Sequence, residues 1–276
     1  MRFLKPIVII AFIAGTALFV FKWASFKGSI DTTPPVIHMG SKMITVDVGA
    51  TDRELMKDVQ ATDKKDGDVT ARVVVESISN FTDMKNHICN ITYAVEDSEH
   101  NVAKATRKLK YKKYTPPQFF LRKPLRIETG SEESVRDIIG AMDCVDGDIS
   151  RKVKILSSEF STLSTGDSTV TAQVTNKLGD TVTLKAHVLI KDYNYRAPII
   201  NLKENLVHVK KGTSFNERKY IDSVEGPRGK KISKSKVKVR NSTVNTHKEG
   251  CYYVEYVVNE EKINESVTIL TVMVEE

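Results

Sequence analysis

Ala61-Thr62-Asp63-Lys64-Lys65-Asp66-Gly67-Asp68-Val69-Thr70 decides how this chain is read, because it returns eighty residues later as Ala141-Met142-Asp143-Cys144-Val145-Asp146-Gly147-Asp148-Ile149-Ser150. A recurrence at that spacing marks a tandem array of small modules. A third, altered copy is Gly226-Pro227-Arg228-Gly229-Lys230-Lys231-Ile232-Ser233, where Lys230 and Lys231 replace the glycine and aspartate. Proline openings keep the same beat: Thr33-Pro34-Pro35, Thr115-Pro116-Pro117 and Arg196-Ala197-Pro198, at spacings of 82 and then 81 residues.

Between these landmarks the chain carries short β-branched runs bounded by Gly, Pro and Asp. Examples are Val36 to Met39, Met43 to Val48, Arg72 to Ile78 and Ile88 to Val95. In the last, Ile91, Tyr93 and Val95 alternate onto one face, the period of a half-buried strand. The late strand recurs as Val170 to Val174 and Val254 to Val258. Helical patterning is confined to a turn or two at Asp52 to Val59 and Glu132 to Ile139. The expected fold is all-β: three tandem β-sandwiches at residues 29–113, 114–194 and 195–276. Stiff proline junctions imply that they are joined end to end, each with its own core.

Residues 1–28 are different. Pro6 to Phe21 is sixteen residues without a charge, about 24 Å as a helix, between Lys5 and Lys22. A membrane anchor through residues 6–21 is expected, with the N-terminus cytoplasmic and the repeats extracellular. A signal segment removed on secretion is the alternative, although Lys22-Trp23-Ala24-Ser25-Phe26-Lys27 has no Ala-x-Ala cleavage pattern.

Forty-two Lys and Arg against thirty-five Asp and Glu leave a formal charge of +7, unevenly placed. Lys104 to Arg126 holds nine basic residues and no acidic one, and Gly226 to Arg240 holds seven and none. Arg228, Lys230, Lys231, Lys234, Lys236, Lys238 and Arg240 are therefore candidates for binding an anionic polymer such as a cell-wall component. The other reading is a solvated edge strand with Val237 and Val239 inward. Nucleic acid is not expected, because no aromatic residues interleave the basic ones as a stacking platform.

Asp63, Asp66 and Asp68, matched by Asp143, Asp146 and Asp148, put three carboxylates within six residues around a glycine. Two readings stay open. One is calcium, which takes six to eight oxygens, with neighbouring carbonyls completing the shell. The other is a turn whose first aspartate caps it, whose glycine takes a positive φ and whose last aspartate bonds the backbone ahead. Cys89, Cys144 and Cys251 fall one per repeat at positions that do not correspond, so no repeat closes an internal disulfide. The chain has no His-Glu-x-x-His, no Gly-x-Ser-x-Gly and no Cys-x-x-Cys, and no enzymatic activity or cofactor is expected.

The Pro-Pro opening, the Ala-x-Asp-x-x-Asp-Gly-Asp turn, and Ile91-Thr92-Tyr93-Ala94-Val95-Glu96-Asp97 followed by Asn101-Val102-Ala103 together resemble the bacterial immunoglobulin-like repeats of Gram-positive surface proteins. Such repeats are also appended to some pesticidal crystal proteins. The likeness runs well across Asp31 to Tyr111, fairly across Thr115 to Asp192 and poorly beyond Arg196. It implies β-sandwiches used as a stalk, adhesion or cell-wall interaction module. A tethered accessory subunit of a larger envelope complex (enzyme, transporter or secretion assembly) is the alternative role.

Overall fold

The computed structural model describes residues 4–29, 31–158, 163–192, 194, 196–260 and 264–276. Two compact units emerge, Met1–Lys112 and Lys113–Glu276.

The first repeat builds two sheets. One pairs Val36–Met39, Val59–Asp63 and Gly67–Asp68; the other runs Met43–Asp47, Val102–Lys112, Ile88–Glu96, Val74–Ile78. Met43–Asp47 joins Val102–Lys112 in parallel, whereas the other pairings are antiparallel. Alternation works as the sequence suggests: Ile91, Tyr93 and Val95 are buried between the sheets with Ile44, Val59, Ala61 and Leu109. Tyr93 donates from its hydroxyl to the Leu55 carbonyl at 2.6 Å, and buried Arg107 donates from Nε to the same hydroxyl at 2.9 Å. Asp52–Leu55 and, in the second repeat, Val135–Ile138 form the two expected helical turns.

The second repeat repeats the plan with Gln118–Leu121, Ile139–Asp143 and Gly147–Asp148 facing Lys154–Ser158, Gly166–Thr175, Thr181–Lys191 and Arg126–Glu128. In the third, Ile199–Leu202 and Ile221–Glu225 face Leu206–Lys210, Asn264–Glu275, Gly250–Glu260 and Lys238–Ser242. Each repeat joins the first strand of its larger sheet in parallel and breaks register at one place in the last, at Val75/Ser77, Ile155/Ser157 and Val239/Asn241. The three copies therefore share one immunoglobulin-like topology.

Residues 4–29 form one helix, Leu4–Ser29, whose described side chains at 8–23 are exposed. Among the described residues no helix is long and apolar enough to cross a membrane. This corrects the expected transmembrane anchor at residues 6–21 and the single-pass localisation built on it. The physical reason is length: sixteen charge-free residues cover about 24 Å of a hydrocarbon layer about 30 Å thick. Lys22 and Lys27 follow at once on one side and Lys5 precedes on the other.

A second correction concerns the last two repeats. They pack sheet on sheet, not end to end, and the second repeat's core extends into the third while the third keeps a cluster of its own. One apolar cluster contains Leu125, Ile127, Ala172, Leu184, Ala186 and Ile190 of the second repeat together with Leu206, Val267 and Ile269 of the third. The two four-stranded sheets lie against each other, and the His187 ring stacks on Tyr253 with centroids 4.0 Å apart. Strand Asn264–Glu275 is consequently covered on both faces: Leu270, Val272 and Val274 fill the third repeat's own core while Ile269 and Met273 face the second repeat. Asn205 Nδ2 donates to the Leu121 carbonyl at 3.2 Å, adding a polar tie.

His208 seals this junction. Its Nδ1 lies 2.9 Å from Glu275 Oε1 and its Nε2 lies 2.8 Å from the Phe119 carbonyl, so both bonds are made only by the imidazolium. Burial works to lower its pKa, but the Glu275 carboxylate and the Phe119 carbonyl outweigh it, and the pKa sits above the ordinary value of 6.5. A raised value means stability that is complete below about pH 6.5 and lost as pH rises through the folded pKa.

Two outcomes follow from the shared core. Ile269→Ala should cost about 2–5 kcal/mol, and near-ultraviolet and far-ultraviolet melts should show residues 113–276 losing structure in one transition. The wild-type melting temperature of that transition should fall as pH rises from about 6.5 through the raised His208 pKa, and in His208→Gln this slope should flatten.

Candidate functional site

The strand Val59–Asp63 delivers Asp63 to the turn with its side chain buried, and Ile139–Asp143 does the same for Asp143. Asp63 Oδ1 accepts from the backbone N–H of Lys65 at 2.7 Å and Asp66 at 2.8 Å. Asp143 Oδ1 accepts from Val145 at 2.9 Å and Asp146 at 2.8 Å. Gly67 and Gly147 then take φ of 75° and 71°, which turns the chain back beside the strand it left. Asp68 Oδ1 accepts from Thr70 N at 2.9 Å and Asp148 Oδ1 from Ser150 N at 2.8 Å. The Thr70 and Ser150 hydroxyls, seconded by these backbone bonds, hold the Asp68 and Asp148 carboxyls below their ordinary value.

The middle aspartates reach across to the loop after the late strand. Asp66 accepts from Ser98 N and from Ser98 Oγ, each at 2.7 Å, and pairs with Arg72 at 2.8 Å. Asp146 Oδ2 accepts from Lys177 N at 2.9 Å and pairs with Lys152 Nζ at 2.7 Å. The Ser98 hydroxyl is the main cause of a lowered Asp66 pKa. For Asp146, burial pushes upward and the lysine contacts outweigh it. Of the six aspartates considered for calcium, Asp66, Asp68, Asp146 and Asp148 thus spend oxygens on their own chain, and the six do not converge within the turns.

Convergence occurs elsewhere. Asp31, Asp63 and Asp97 each bring a carboxylate oxygen within 4.8 Å of the others. Asp31 precedes the Pro-Pro opening and Asp97 begins the loop that ends at Asn101; neither was a candidate from the turn motif. Asp97 Oδ1 accepts from Glu99 N at 2.9 Å and Asn101 N at 2.8 Å, and Oδ2 accepts from Asn101 Nδ2 at 2.8 Å. Burial pushes its pKa up, and these donors outweigh it, leaving the carboxyl below its ordinary value. Asp31 is lowered chiefly by the Thr33 hydroxyl. Lys65 Nζ bonds Glu99 at 2.6 Å beside this group.

The second repeat fills the same place with an amide and a phenol. Asn176 stands where Asp97 does: its Oδ1 accepts from Leu178 N at 2.9 Å and Asp180 N at 3.0 Å. Its Nδ2 donates to Asp143 Oδ2 at 3.0 Å and to the Tyr114 hydroxyl at 2.7 Å, and that hydroxyl donates to Asp180 Oδ2 at 2.8 Å.

In the third repeat the turn is rebuilt around Arg228 and Gly229, with φ of 63° and 75°. Arg228, Lys230, Lys231, Lys234, Lys236, Lys238 and Arg240 are all exposed. They do not lie on one strand. Lys234–Lys236 is a 3-10 turn, and only Lys238 and Arg240 stand on the edge strand Lys238–Ser242, with Val237 buried. Arg240 is already paired with Glu255 at 3.4 Å and with Glu265. A cleft of about 650 Å³ opens between the second and third repeats, lined by Arg122, Arg126 and Glu133 as well as by Pro124, Ile199 and Val267.

No known family profile matches the chain. It is 26% identical over 254 residues to the pesticidal crystal protein Cry22Aa of Bacillus thuringiensis, covering 86% of this chain and 33% of that protein. The chain therefore spans about a third of the length of that curated relative. Among solved structures, Clostridium perfringens ZmpB (the M60 catalytic domain with two CBM51 domains) aligns with 89% of this chain and 31% of that one, at 16% identity and a TM-score of 0.25. Surface layer protein SbsC, domains 4–9, aligns with 87% of this chain and 50% of that one, at 15% identity and a TM-score of 0.20.

The turn geometry makes Gly147 costly to replace although the space beside it is open. Gly147→Ala should lose about 1–2 kcal/mol by forcing an L residue into the left-handed region. Gly166→Ala, equally open but without a positive φ, should be close to neutral in the same chemical-denaturation assay.

Proposed function

We propose that the chain is a non-catalytic array of immunoglobulin-like modules of a bacterial cell-surface or secreted protein, serving as a stalk and wall-interaction element. The observation that carries this reading is the contrast between repeats: one topology three times, with exposed groups of different charge displayed at corresponding turns. Where the first two repeats present Asp-Gly-Asp, the third presents Arg228, Lys230, Lys231, Lys234 and Lys236 to solvent. A fixed sandwich with a variable rim suits recognition, since the rim changes without disturbing the core. The similarity to Cry22Aa supports a place in a larger bacterial product. The basic rim suits an anionic polymer, whose multiple charges reward a row of cations more than any single pair does.

Incubation of the full chain with isolated Gram-positive walls tests this. Retention is expected at low salt, with release as ionic strength approaches about 0.5 M and the screening length shrinks to a few ångströms. The quadruple variant Lys230→Glu, Lys231→Glu, Lys234→Glu, Lys236→Glu should lose retention while keeping its melting temperature. Equal retention of variant and wild type would contradict the assignment, and release of wall fragments by the wild type would contradict its non-catalytic part.

A further inference from the structure

We propose that the first repeat, and not the second, binds one divalent cation of the calcium class between Asp31, Asp63 and Asp97. Three carboxylates alone would not require it. The requirement comes from Asp63, which is 8% exposed and whose Oδ2 is buried without a hydrogen-bond partner. A charged oxygen removed from water and left unpaired is among the costliest arrangements a fold can hold.

The second repeat shows which way that oxygen faces and what it needs. Asp63 and Asp143 make the same two Oδ1 bonds to their turns, so their Oδ2 atoms point alike. Asp143 Oδ2 meets an amide donor from Asn176, whose second amide proton goes to the Tyr114 hydroxyl, which in turn donates to Asp180. Asp63 instead has the carboxylates of Asp97 and Asp31 within 4.8 Å, and the Asp97 oxygens already accept from Glu99 N, Asn101 N and Asn101 Nδ2. The amide that satisfies one repeat is replaced in the other by added negative charge. Lys65 does not resolve this, because its ammonium is engaged with Glu99 and the buried oxygen remains unpartnered.

A positive ion at that point supplies what Asn176 Nδ2 supplies in the second repeat. Its class follows from the donors. They are hard carboxylate oxygens with no sulfur or imidazole among them, the set that calcium and magnesium take and zinc does not prefer. Oxygens on a sphere of about 2.4 Å radius lie no more than about 4.8 Å apart, the dimension of a calcium shell, and the three ligand atoms meet that limit. The ion would join the chain before the first strand, the end of Val59–Asp63 and the loop after Ile88–Glu96, which belong to different sheets.

Equilibrium dialysis of the full chain with calcium chloride should find one ion per chain with a dissociation constant of about 10⁻⁴–10⁻³ M, as for extracellular modules with few carboxylates. The melting temperature of the first unit should rise with calcium and return with chelator. Asp97→Asn, which copies the Asn176 arrangement, should abolish binding while melting in chelator no lower than wild type. Asp31→Asn serves as a second variant should Asp97→Asn not fold, and it should weaken binding at least tenfold. Asp68→Asn, outside the cluster, should bind as wild type does. No bound ion at about 10 mM calcium, or undiminished stoichiometry in Asp97→Asn and Asp31→Asn, would overturn the proposal.

Discussion

A buried aspartate at the end of an inner strand is the constraint on which the first two repeats depend. Asp63 and Asp143 each accept two backbone N–H groups of the turn they begin, so the turn has one way to close. Closure places the next aspartate, Asp66 or Asp146, against the loop that follows the late strand of the opposite sheet. One carboxylate thus sets the turn, and the turn ties the two sheets together at the same end of each sandwich. The arrangement obliges every oxygen of that buried group to find a partner, and the two repeats meet the obligation by different means.

The third repeat abandons the device and stands by another. Gly226 occupies the place of the buried aspartate, and the turn closes through two successive positive-φ residues, Arg228 and Gly229. What it loses in polar ties it regains in apolar burial, since its strand Asn264–Glu275 is covered on both faces.

Much of this was legible in the residues. The period, the alternation of Ile91, Tyr93 and Val95, and the positive-φ glycines follow from local rules that act within a few residues. The packing of the second repeat on the third was not read, although Val267-Thr268-Ile269-Leu270-Thr271-Val272-Met273-Val274 shows the near-continuous apolar pattern of a strand buried on both faces. The proline junctions argued for end-to-end joining, but a stiff linker fixes little when a large apolar face is available nearby. The N-terminal apolar run suggests a span by its hydrophobicity, while its sixteen charge-free residues fall short of one. Asp31 and Asp97 escaped because they lie 66 residues apart in sequence and meet only through sheet pairing; the substitution of Asn176 for Asp97 between aligned repeats was the available signal.

The central claim is that one buried carboxylate is answered by an amide in the second repeat and by a cation in the first. Anomalous diffraction from crystals of the full chain grown with calcium tests it most directly. The account predicts one peak among Asp31, Asp63 and Asp97 and none beside Asp143; peaks at both turns, or at neither, would contradict it.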